Sequence, residues 1–390
     1  MSRMELIAPC HFGMESVLKK EIYDIGYEIL DVSDGRVTFE GDEEALVRAN
    51  IMLRTAERVL LKAGSFTAQS FEELFQGTKA IPWEAYLPKN ARFWVTKAAS
   101  VRSRLFSPSD IQSVMKKAMV DRMAAKYHIS QFPEDGADYP VRVFIKNDEV
   151  TAAIDTTGES LHKRGYRKSA VKAPIAENLA AGLIMLTPWN KGRILVDPFC
   201  GSGTFPIEAA MMAANIAPGA GRSFTAEKWE NLIPETLWRD IRDEVREEED
   251  RTAETDLQGY DIDRNAIEAA RVNARLAGVE HMIHFQVRPV SELSHPKKYG
   301  FIITNPPYGE RLMEEEKEDL RFLYRTLGER FRALDDWSMY IISAYEQCEK
   351  DMGLRAAKNR KLYNGMIRSY FYSFPGARPQ RKPAQKGVTE

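Results

Sequence analysis

The sequence has little of what marks a secreted, membrane-bound or metal-dependent protein. Only three cysteines occur in 390 residues, and their spacing fits neither a disulfide framework nor a zinc site. The N-terminus lacks the basic start and long apolar stretch of a signal peptide. No apolar run is long enough to span a bilayer. These absences predict a reduced, cytoplasmic protein with no membrane span and no metal site.

An excess of charge of one sign is also lacking. The chain has 55 Lys and Arg residues against 57 Asp and Glu, so its formal net charge is −2. Any affinity for a polyanion must therefore come from local clusters of basic residues. Hydrophobic residues make up 44% of the chain and charged residues 29%, which excludes global disorder. The length is typical of two or three domains.

The pattern of predicted elements changes between residues 155 and 170. Before this point, short strands and amphipathic helices alternate, which predicts a small α+β region. After it, the strands are nearly continuous apolar runs followed by helices, as in RILVDPF and YGFIITNPP. Such runs are typical of a parallel sheet buried on both faces, so the predicted fold class is α/β. The charged stretch TLWRDIRDEVREEEDRTAETD is interpreted as a solvated helix or an insertion without function.

A glycine-rich turn follows the first of these apolar strands, in DPFCGSGTFPIEAA (residues 197–210). Gly201 and Gly203 let the backbone turn tightly and approach a ligand, and the next helix begins with unpaired N–H groups. A dinucleotide fingerprint would need glycine at position 206, which is proline, and no Gly-Lys-Ser/Thr follows. Neither phosphate-binding pattern fits, so the turn indicates a nucleotide-like ligand of another kind.

A second acidic residue ends the next strand, in GYDIDRNAIEAARVNARLAGV (residues 259–279). Asp261 can accept hydrogen bonds from both hydroxyls of a ribose, and Asp197 can lie near a cationic centre. A cofactor with a ribose, a positive charge and no phosphate is S-adenosylmethionine. Cys200 is interpreted as a small residue packed behind this cofactor, because no partner base for a nucleophile can be identified.

The stretch FIITNPPYGERL (residues 301–312) ends a buried strand with an amide, two prolines and an aromatic ring. The side-chain carbonyl of Asn305 and the main-chain carbonyl of Pro306 can accept hydrogen bonds from an exocyclic amino group and aim its lone pair at a methyl sulfonium. Pro306 and Pro307 restrict the backbone, and Tyr308 offers a face on which a base can stack. The predicted chemistry is methylation of an sp² amino nitrogen, although the tetrapeptide does not select which one.

Positive charge is concentrated ahead of the α/β region. Nine Lys or Arg residues and two acids lie between Leu87 and His128, where Phe93, Trp94 and Phe106 are interleaved, and residues 161–172 add five basic residues and no acid. This pattern predicts a nucleic-acid-binding surface. The candidate phosphate contacts are Arg102, Arg104, Lys116 and Lys117, and the residues expected nearer the active site, where they could guide the target strand, are Arg164, Tyr166 and Arg167.

Taken together, these segments resemble class I S-adenosylmethionine-dependent methyltransferases of the amino-methylating kind. They are similar in particular to THUMP-domain RNA methyltransferases, which include bacterial 23S rRNA guanine-N2 methyltransferases. The resemblance covers nearly the whole chain, including GESLHKRGYRKSAVKAPIAENLAAGLIML and KLYNGMIRSYFYSF. It implies a ferredoxin-like subdomain at 1–60, a THUMP RNA-binding domain at 61–160 and a Rossmann-like methyltransferase domain at 161–378. The composition of residues 379–390, which is polar, basic and proline-containing, predicts a flexible tail.

The same resemblance implies roles for individual residues. The lead-in around Ala173, Pro174 and Asn178 is expected to close over the cofactor. The predicted cofactor-binding residues are Asp197, Pro198, Cys200, Gly201, Gly203, Thr204, Asp261, Ile262, Pro174 and Asn178. After the third strand, Arg288 and Pro289 stand where such enzymes often carry an acid that meets the adenine. Either backbone groups there or the side chain of Glu292 would then read the adenine.

The predicted activity is methylation of guanine N2 in large-subunit ribosomal RNA, with S-adenosylhomocysteine as the product. Four alternatives remain open: an adenine-N6 DNA methyltransferase, a guanine-N2 tRNA methyltransferase, a glutamine-N5 protein methylase and a non-catalytic RNA-binding assembly factor. The N-terminal module argues against the DNA enzyme, which usually carries a distinct target-recognition region. The sequence does not decide the modified nucleotide or the oligomeric state.

Overall fold

The chain forms two compact units, each built on a seven-stranded sheet, in a computed structural model that describes residues 3–168, 174–308 and 314–379. The first unit is Met1–Gly165 with Ile216–Glu249, and the second is Tyr166–Asn215 with Asp250–Glu390. Among the described residues, no helix is long and apolar enough to cross a membrane. The predicted tail at 379–390 lies outside the described residues, apart from its first position.

The strands and helices follow the predicted runs closely. The strands are β1 (Met4–Pro9), β2 (Ile29–Ser33), β3 (Arg36–Gly41), β4 (Leu60–Thr67), β5 (Arg92–Val101), β6 (Asp138–Lys146), β7 (Glu149–Asp155), β8 (Leu195–Asp197), β9 (Leu257–Asp261), β10 (Ile283–Val287), β11 (Phe301–Thr304), β12 (Ser338–Ser343), β13 (Lys358–Asn364) and β14 (Ile367–Phe374). The α-helices are α1 (Glu15–Asp24), α2 (Glu43–Met52), α3 (Phe71–Ala80), α4 (Pro108–Tyr127), α5 (Glu177–Met185), α6 (Thr204–Ala213), α7 (Glu235–Glu247), α8 (Arg264–Leu276), α9 (Glu314–Arg332) and α10 (Cys348–Met352).

The first sheet has the order β2-β3-β1-β4-β7-β6-β5. Its neighbours are antiparallel except β5 and β6, which are parallel. β1 pairs with β4 through Leu6↔Leu61 and Ile7↔Leu60. Because this pairing crosses the boundary predicted near residue 60, the two N-terminal domains share one continuous sheet.

The part of the charged stretch that forms α7 belongs to the first unit. Trp238, Ile241 and Val245 recur at helical spacing and are buried, while the charged residues occupy the other face. The Trp229 ring stacks on Tyr139 with centroids 4.7 Å apart. The stretch is therefore an insertion with one buried face, and the spacing of its apolar residues was the signal for that burial.

The second sheet has the order β10-β9-β8-β11-β12-β14-β13. The strands from β10 to β12 are parallel, whereas β14 runs antiparallel to β12 and to β13. Every residue of β11 and β12 is buried, as continuous apolar strands predict. The chain order reverses between β8 and β11, and the carboxyl ends of strands at such a reversal usually flank a ligand site. The predicted α/β fold class is confirmed.

Candidate active site

A cavity of about 820 Å³ lies at the carboxyl ends of β8, β9 and β11. This volume is typical of a site for a small organic ligand. The predicted site residues that line it are Pro174, Asp197, Pro198, Cys200, Gly201, Thr204, Asp261, Ile262, Asn305, Pro306, Pro307 and Tyr308. Sequence reasoning missed several others, of which Phe322, Leu323, Thr326, Asn364, Gly365 and Ile367 come from α9 and the β13–β14 hairpin.

The glycine turn between β8 and α6 shapes one wall of the cavity. Gly201 and Gly203 have φ values of +52° and +86°, in the left-handed region that favours glycine. A Cβ atom at Gly203 would also lie 3.0 Å from the Cβ of Ala270 and 3.1 Å from the Phe285 ring. Gly203 is not among the described lining residues, so it contributes through the shape of the turn.

Asp261 fastens the end of β9 to this turn. Its Oδ2 accepts a hydrogen bond from the Gly201 amide at 2.9 Å, and its Oδ1 accepts one from Asp263 at 3.0 Å. The next residue, Ile262, is 75% exposed although it is a large aliphatic residue on the cavity wall. An acid beside an uncovered apolar side chain suits a ligand that joins a sugar to an aromatic ring.

The segment after β10 bears on how the adenine ring of the cofactor would be recognised. Pro289, Val290 and Ser291 line the cavity, whereas Glu292 is not among its described lining residues. The Arg288 guanidinium donates to the Glu292 carbonyl and to Ser294 Oγ instead. Of the two alternatives for adenine recognition, the position of this segment favours its backbone over the Glu292 side chain.

Asp197 is a buried acid that has no ion pair among the residues that the structure describes. Only 1% of the residue is exposed, and its Oδ1 accepts hydrogen bonds from Thr304 Oγ1 at 2.6 Å and from the Phe199 amide at 3.1 Å. Burial, followed by the charge of Asp261, raises its pKa to about 7. Burial also raises the pKa of the adjacent Cys200 thiol well above its usual value, which suits a packing role rather than a nucleophilic one.

The turn after β11 is braced by hydrogen bonds to its neighbours. The Tyr324 hydroxyl donates to the Pro307 carbonyl at 3.3 Å, and the Asn364 amide donates to the Tyr308 hydroxyl at 2.9 Å. The Oδ1 atom of Asn305 is buried and has no hydrogen-bond partner among the residues that the structure describes. An acceptor in this state costs free energy until a ligand supplies a donor.

The lead-in segment is tied down by buried polar contacts. Arg167 donates to the Ile175 carbonyl at 2.8 Å and to Thr204 Oγ1 at 2.9 Å, and forms an ion pair with Glu177. Asn178 lies on α5, is 1% exposed and is not among the described lining residues of the cavity. Ala173 lies outside the described residues.

Three side chains that were predicted to contact RNA make contacts within the protein instead. Arg164 is 6% exposed and donates to the Leu161 and Arg54 carbonyls. Tyr166 is 4% exposed and donates to Glu208 Oε1 at 3.1 Å. Together with Arg167, these side chains hold backbone and buried acids in place, so the structure does not support them as direct RNA contacts. The basic and aromatic composition of this stretch could not show whether the side chains point into the protein or toward solvent.

The candidate phosphate contacts of the first unit divide into two kinds. Lys116 is half-buried, with its ammonium 3.9 Å from the centroid of the Phe93 ring and 3.8 Å from Glu134, and burial lowers its pKa. It therefore packs within the fold. Arg102 and Arg104, on the loop after β5, and Lys117 on α4 are exposed. These three remain candidate contacts.

Three family models match this chain, and one of them is a methyltransferase domain that contains the cavity residues. Residues 164–372 match the RMKL-like methyltransferase domain, residues 5–60 the RlmL ferredoxin-like domain and residues 68–155 the THUMP domain. The crystal structure of "SMU.472, a putative methyltransferase complexed with SAH" is 40% identical over 97% of this chain and 100% of that one, with a TM-score of 0.91. The fold and the cavity define a class I S-adenosylmethionine-dependent methyltransferase, which confirms the predicted cofactor.

A relative that is matched over its whole length identifies the family. "Putative RNA methyltransferase YpsC" of Bacillus subtilis is 42% identical over 99% of this chain and 100% of that protein. The chain belongs to this THUMP-containing, RlmL-like methyltransferase family. It is also 33% identical to "Ribosomal RNA large subunit methyltransferase K/L" of Cellvibrio japonicus, of which it spans only 51%. A crystal structure from Listeria monocytogenes named a "predicted N6-adenine-specific DNA methylase" is 42% identical over 97% of each chain, with a TM-score of 0.91.

Proposed function

We propose that this protein methylates an exocyclic amino nitrogen of an RNA base, with guanine N2 in large-subunit ribosomal RNA as the target. The observation that carries the proposal is the buried Oδ1 of Asn305, which lacks a partner among the described residues and belongs to a residue on the cavity wall. An amino group that enters the cavity can satisfy this acceptor. A ligand without an N–H donor at that point would leave it unpaired.

The chain's own groups account for the activation of the amino nitrogen. Its lone pair is delocalised into the base, so acceptors at its two N–H bonds favour a more tetrahedral nitrogen. Asn305 Oδ1 and the Pro306 carbonyl supply those acceptors, and the Tyr308 ring holds the base by stacking. S-adenosylmethionine supplies the methyl group on a positively charged sulfur. Most of the rate acceleration comes from positioning the amino nitrogen against the methyl group. The nitrogen loses a proton after methyl transfer, so no strong base is required.

The choice of RNA rests on the first unit and on the relatives. A THUMP domain spans residues 68–155, and exposed Arg102, Arg104 and Lys117 offer cations for phosphate contacts. Two relatives carry RNA methyltransferase in their names, and one of them names large-subunit ribosomal RNA. Guanine N2 within that RNA rests on the resemblance of the sequence motifs to enzymes that methylate this atom.

Nucleoside mapping tests both the polymer and the atom. Purified protein is incubated with methyl-labelled S-adenosylmethionine and either total RNA from a strain that lacks the gene or plasmid DNA from a methylation-deficient host. We expect label in N2-methylguanosine from 23S rRNA. Label confined to N6-methyladenine in DNA would replace the proposal with the DNA alternative that the Listeria protein's name represents. Label confined to tRNA would overturn the ribosomal target but keep the chemistry.

A further inference from the structure

The β13–β14 hairpin forms a wall of the cavity. Asn364, Gly365 and Ile367 all line it. β13 and β14 pair up to Asn364↔Ile367, so only Gly365 and Met366 form the turn, and Gly365 adopts a φ of +61°. β14 in turn pairs with β12 from Met339↔Phe374 to Ser343↔Tyr370. The hairpin is therefore held by the same sheet that carries the Asn305 turn.

One contact links this hairpin to the catalytic turn. Asn364 Nδ2 donates to the Tyr308 hydroxyl at 2.9 Å, at the end of the ring farthest from the backbone. A hydrogen bond at the far end of a tyrosine restrains the direction in which the ring points, and the preference of the phenolic oxygen for donors in the ring plane restrains the tilt of that plane. The plane of any base that stacks on this ring would follow that tilt.

The surroundings of this contact suit a flat, apolar-faced ligand. Phe322 lines the cavity and is 67% exposed, and Met366 at the hairpin turn is 98% exposed. Large apolar side chains beside a polar acceptor are typical of pockets that receive an unstacked nucleobase. Among the described residues, none packs over the Met366 side chain.

We propose that Asn364 is a positioning residue, which acts through the Tyr308 hydroxyl to set the orientation of the target base. The proposal rests on the proposed function, because it needs a base to stack on Tyr308. It assigns the hairpin to the substrate side of the site. In the alternative, Asn364 stabilises only the hairpin turn. The two roles differ in whether the effect of replacing Asn364 on methylation depends on Tyr308.

The contact itself can be tested without any substrate. In protein labelled with ¹³C at the ζ carbon of tyrosine, the Tyr308 resonance is assigned by its loss in Tyr308→Phe. We expect Asn364→Leu, which keeps the volume of the side chain but cannot hydrogen bond, to shift this resonance. Asn359→Leu is the matched control, because Asn359 is exposed on the same strand and is not among the described lining residues. An unshifted Tyr308 resonance in Asn364→Leu would overturn the proposal.

The positioning role is tested by a double-mutant cycle in single-turnover methylation of RNA. We expect Asn364→Leu to slow methyl transfer by about tenfold in the wild-type background, as for loss of one hydrogen bond, and to have no further effect in Tyr308→Phe. Binding of S-adenosylhomocysteine, measured by calorimetry, should not change. An equal loss of rate in both backgrounds would show a role independent of Tyr308 and overturn the proposal. If wild-type protein methylates no RNA, the proposed function fails while the resonance test still decides the contact.

Discussion

Asp155 and Asp197 occupy similar places in the two sheets but accept hydrogen bonds from different kinds of donor. Each is the last residue of its strand, and each is buried, with 2% and 1% of its surface exposed. In the first sheet, Asp155 Oδ2 accepts from the guanidinium groups of Arg58 and Arg142, both at 2.8 Å. In the second sheet, Asp197 receives only neutral donors and has no ion pair among the described residues.

The comparison separates polar groups that stabilise the fold from those that await a ligand. A buried charge is tolerated when it is paired, and Asp155 meets that requirement within the protein. Asp197 and the Oδ1 of Asn305 do not, and both belong to residues that line the same cavity. Groups that the fold leaves unsatisfied in this way are candidates for function. Changes to the two kinds of group should therefore have opposite signatures.

The largest expected effect is the loss of activity in Asn305→Ala. Removal of one acceptor that acts on the reacting amino group should lower the single-turnover methylation rate by about a hundredfold or more, as for a lost oxyanion donor. Stability to urea and affinity for S-adenosylhomocysteine should stay close to wild type, because Oδ1 has no partner among the described residues. Methylation near the wild-type rate would contradict the acceptor role.

Asp155→Asn should show the opposite signature. It leaves two arginines, each with a mostly buried side chain, without their carboxylate. We expect the free energy of unfolding to fall by about 3 kcal/mol, at the lower end for a broken buried ion pair because both arginines retain some exposure. Urea denaturation measures the loss, with Asp197→Asn as the matched control in the other sheet. A fall no larger than that of Asp197→Asn would remove the distinction between the two acids.

Asp197 should couple pH to the charge of the ligand. Its pKa of about 7 means that the carboxylate is protonated at lower pH and ionised at higher pH. S-adenosylmethionine is cationic at sulfur and its product is not, whereas both carry the same ammonium group, so the affinity for the substrate cofactor should rise more than that for the product as pH increases from 6 to 8. We expect the ratio of the two affinities to rise by a few-fold, as one partly screened charge pair allows. Calorimetry at each pH measures it, and the ratio in Asp197→Asn should not change with pH.

The sequence predicted which residues of the second sheet meet at the cavity, because the signals for these residues are local. Asp261 ends β9, the Gly201 turn comes shortly after β8 and the Asn305 turn follows β11, and parallel strands bring their carboxyl ends together. Asn364 and Phe322 carry no such signal. They reach the cavity through α9 and through the pairing of β14 with β12, which depends on contacts between distant parts of the chain.

The basic residues show a second limit of sequence reasoning. Arg164 and Arg104 both lie in basic stretches with an aromatic residue two positions later, yet one donates to backbone carbonyls and the other lies on an exposed loop. Which carbonyls lack donors is known only once the chain has folded. Counting cations therefore predicted a nucleic-acid-binding region but could not choose its residues.

The smallest expected effect concerns the exposed cations of the first unit. If Arg102 and Arg104 each contact one phosphate, replacing both with alanine should weaken RNA binding several-fold and lower the dependence of log affinity on log salt by about 1.5. The double variant of Arg239 and Arg246, two exposed arginines on α7, makes the same change in net charge and is the matched control. Filter binding across a range of salt concentrations measures both quantities. Equal losses in the two double variants would show that the effect is one of total charge, and RNA recognition by the loop after β5 would then have to be abandoned.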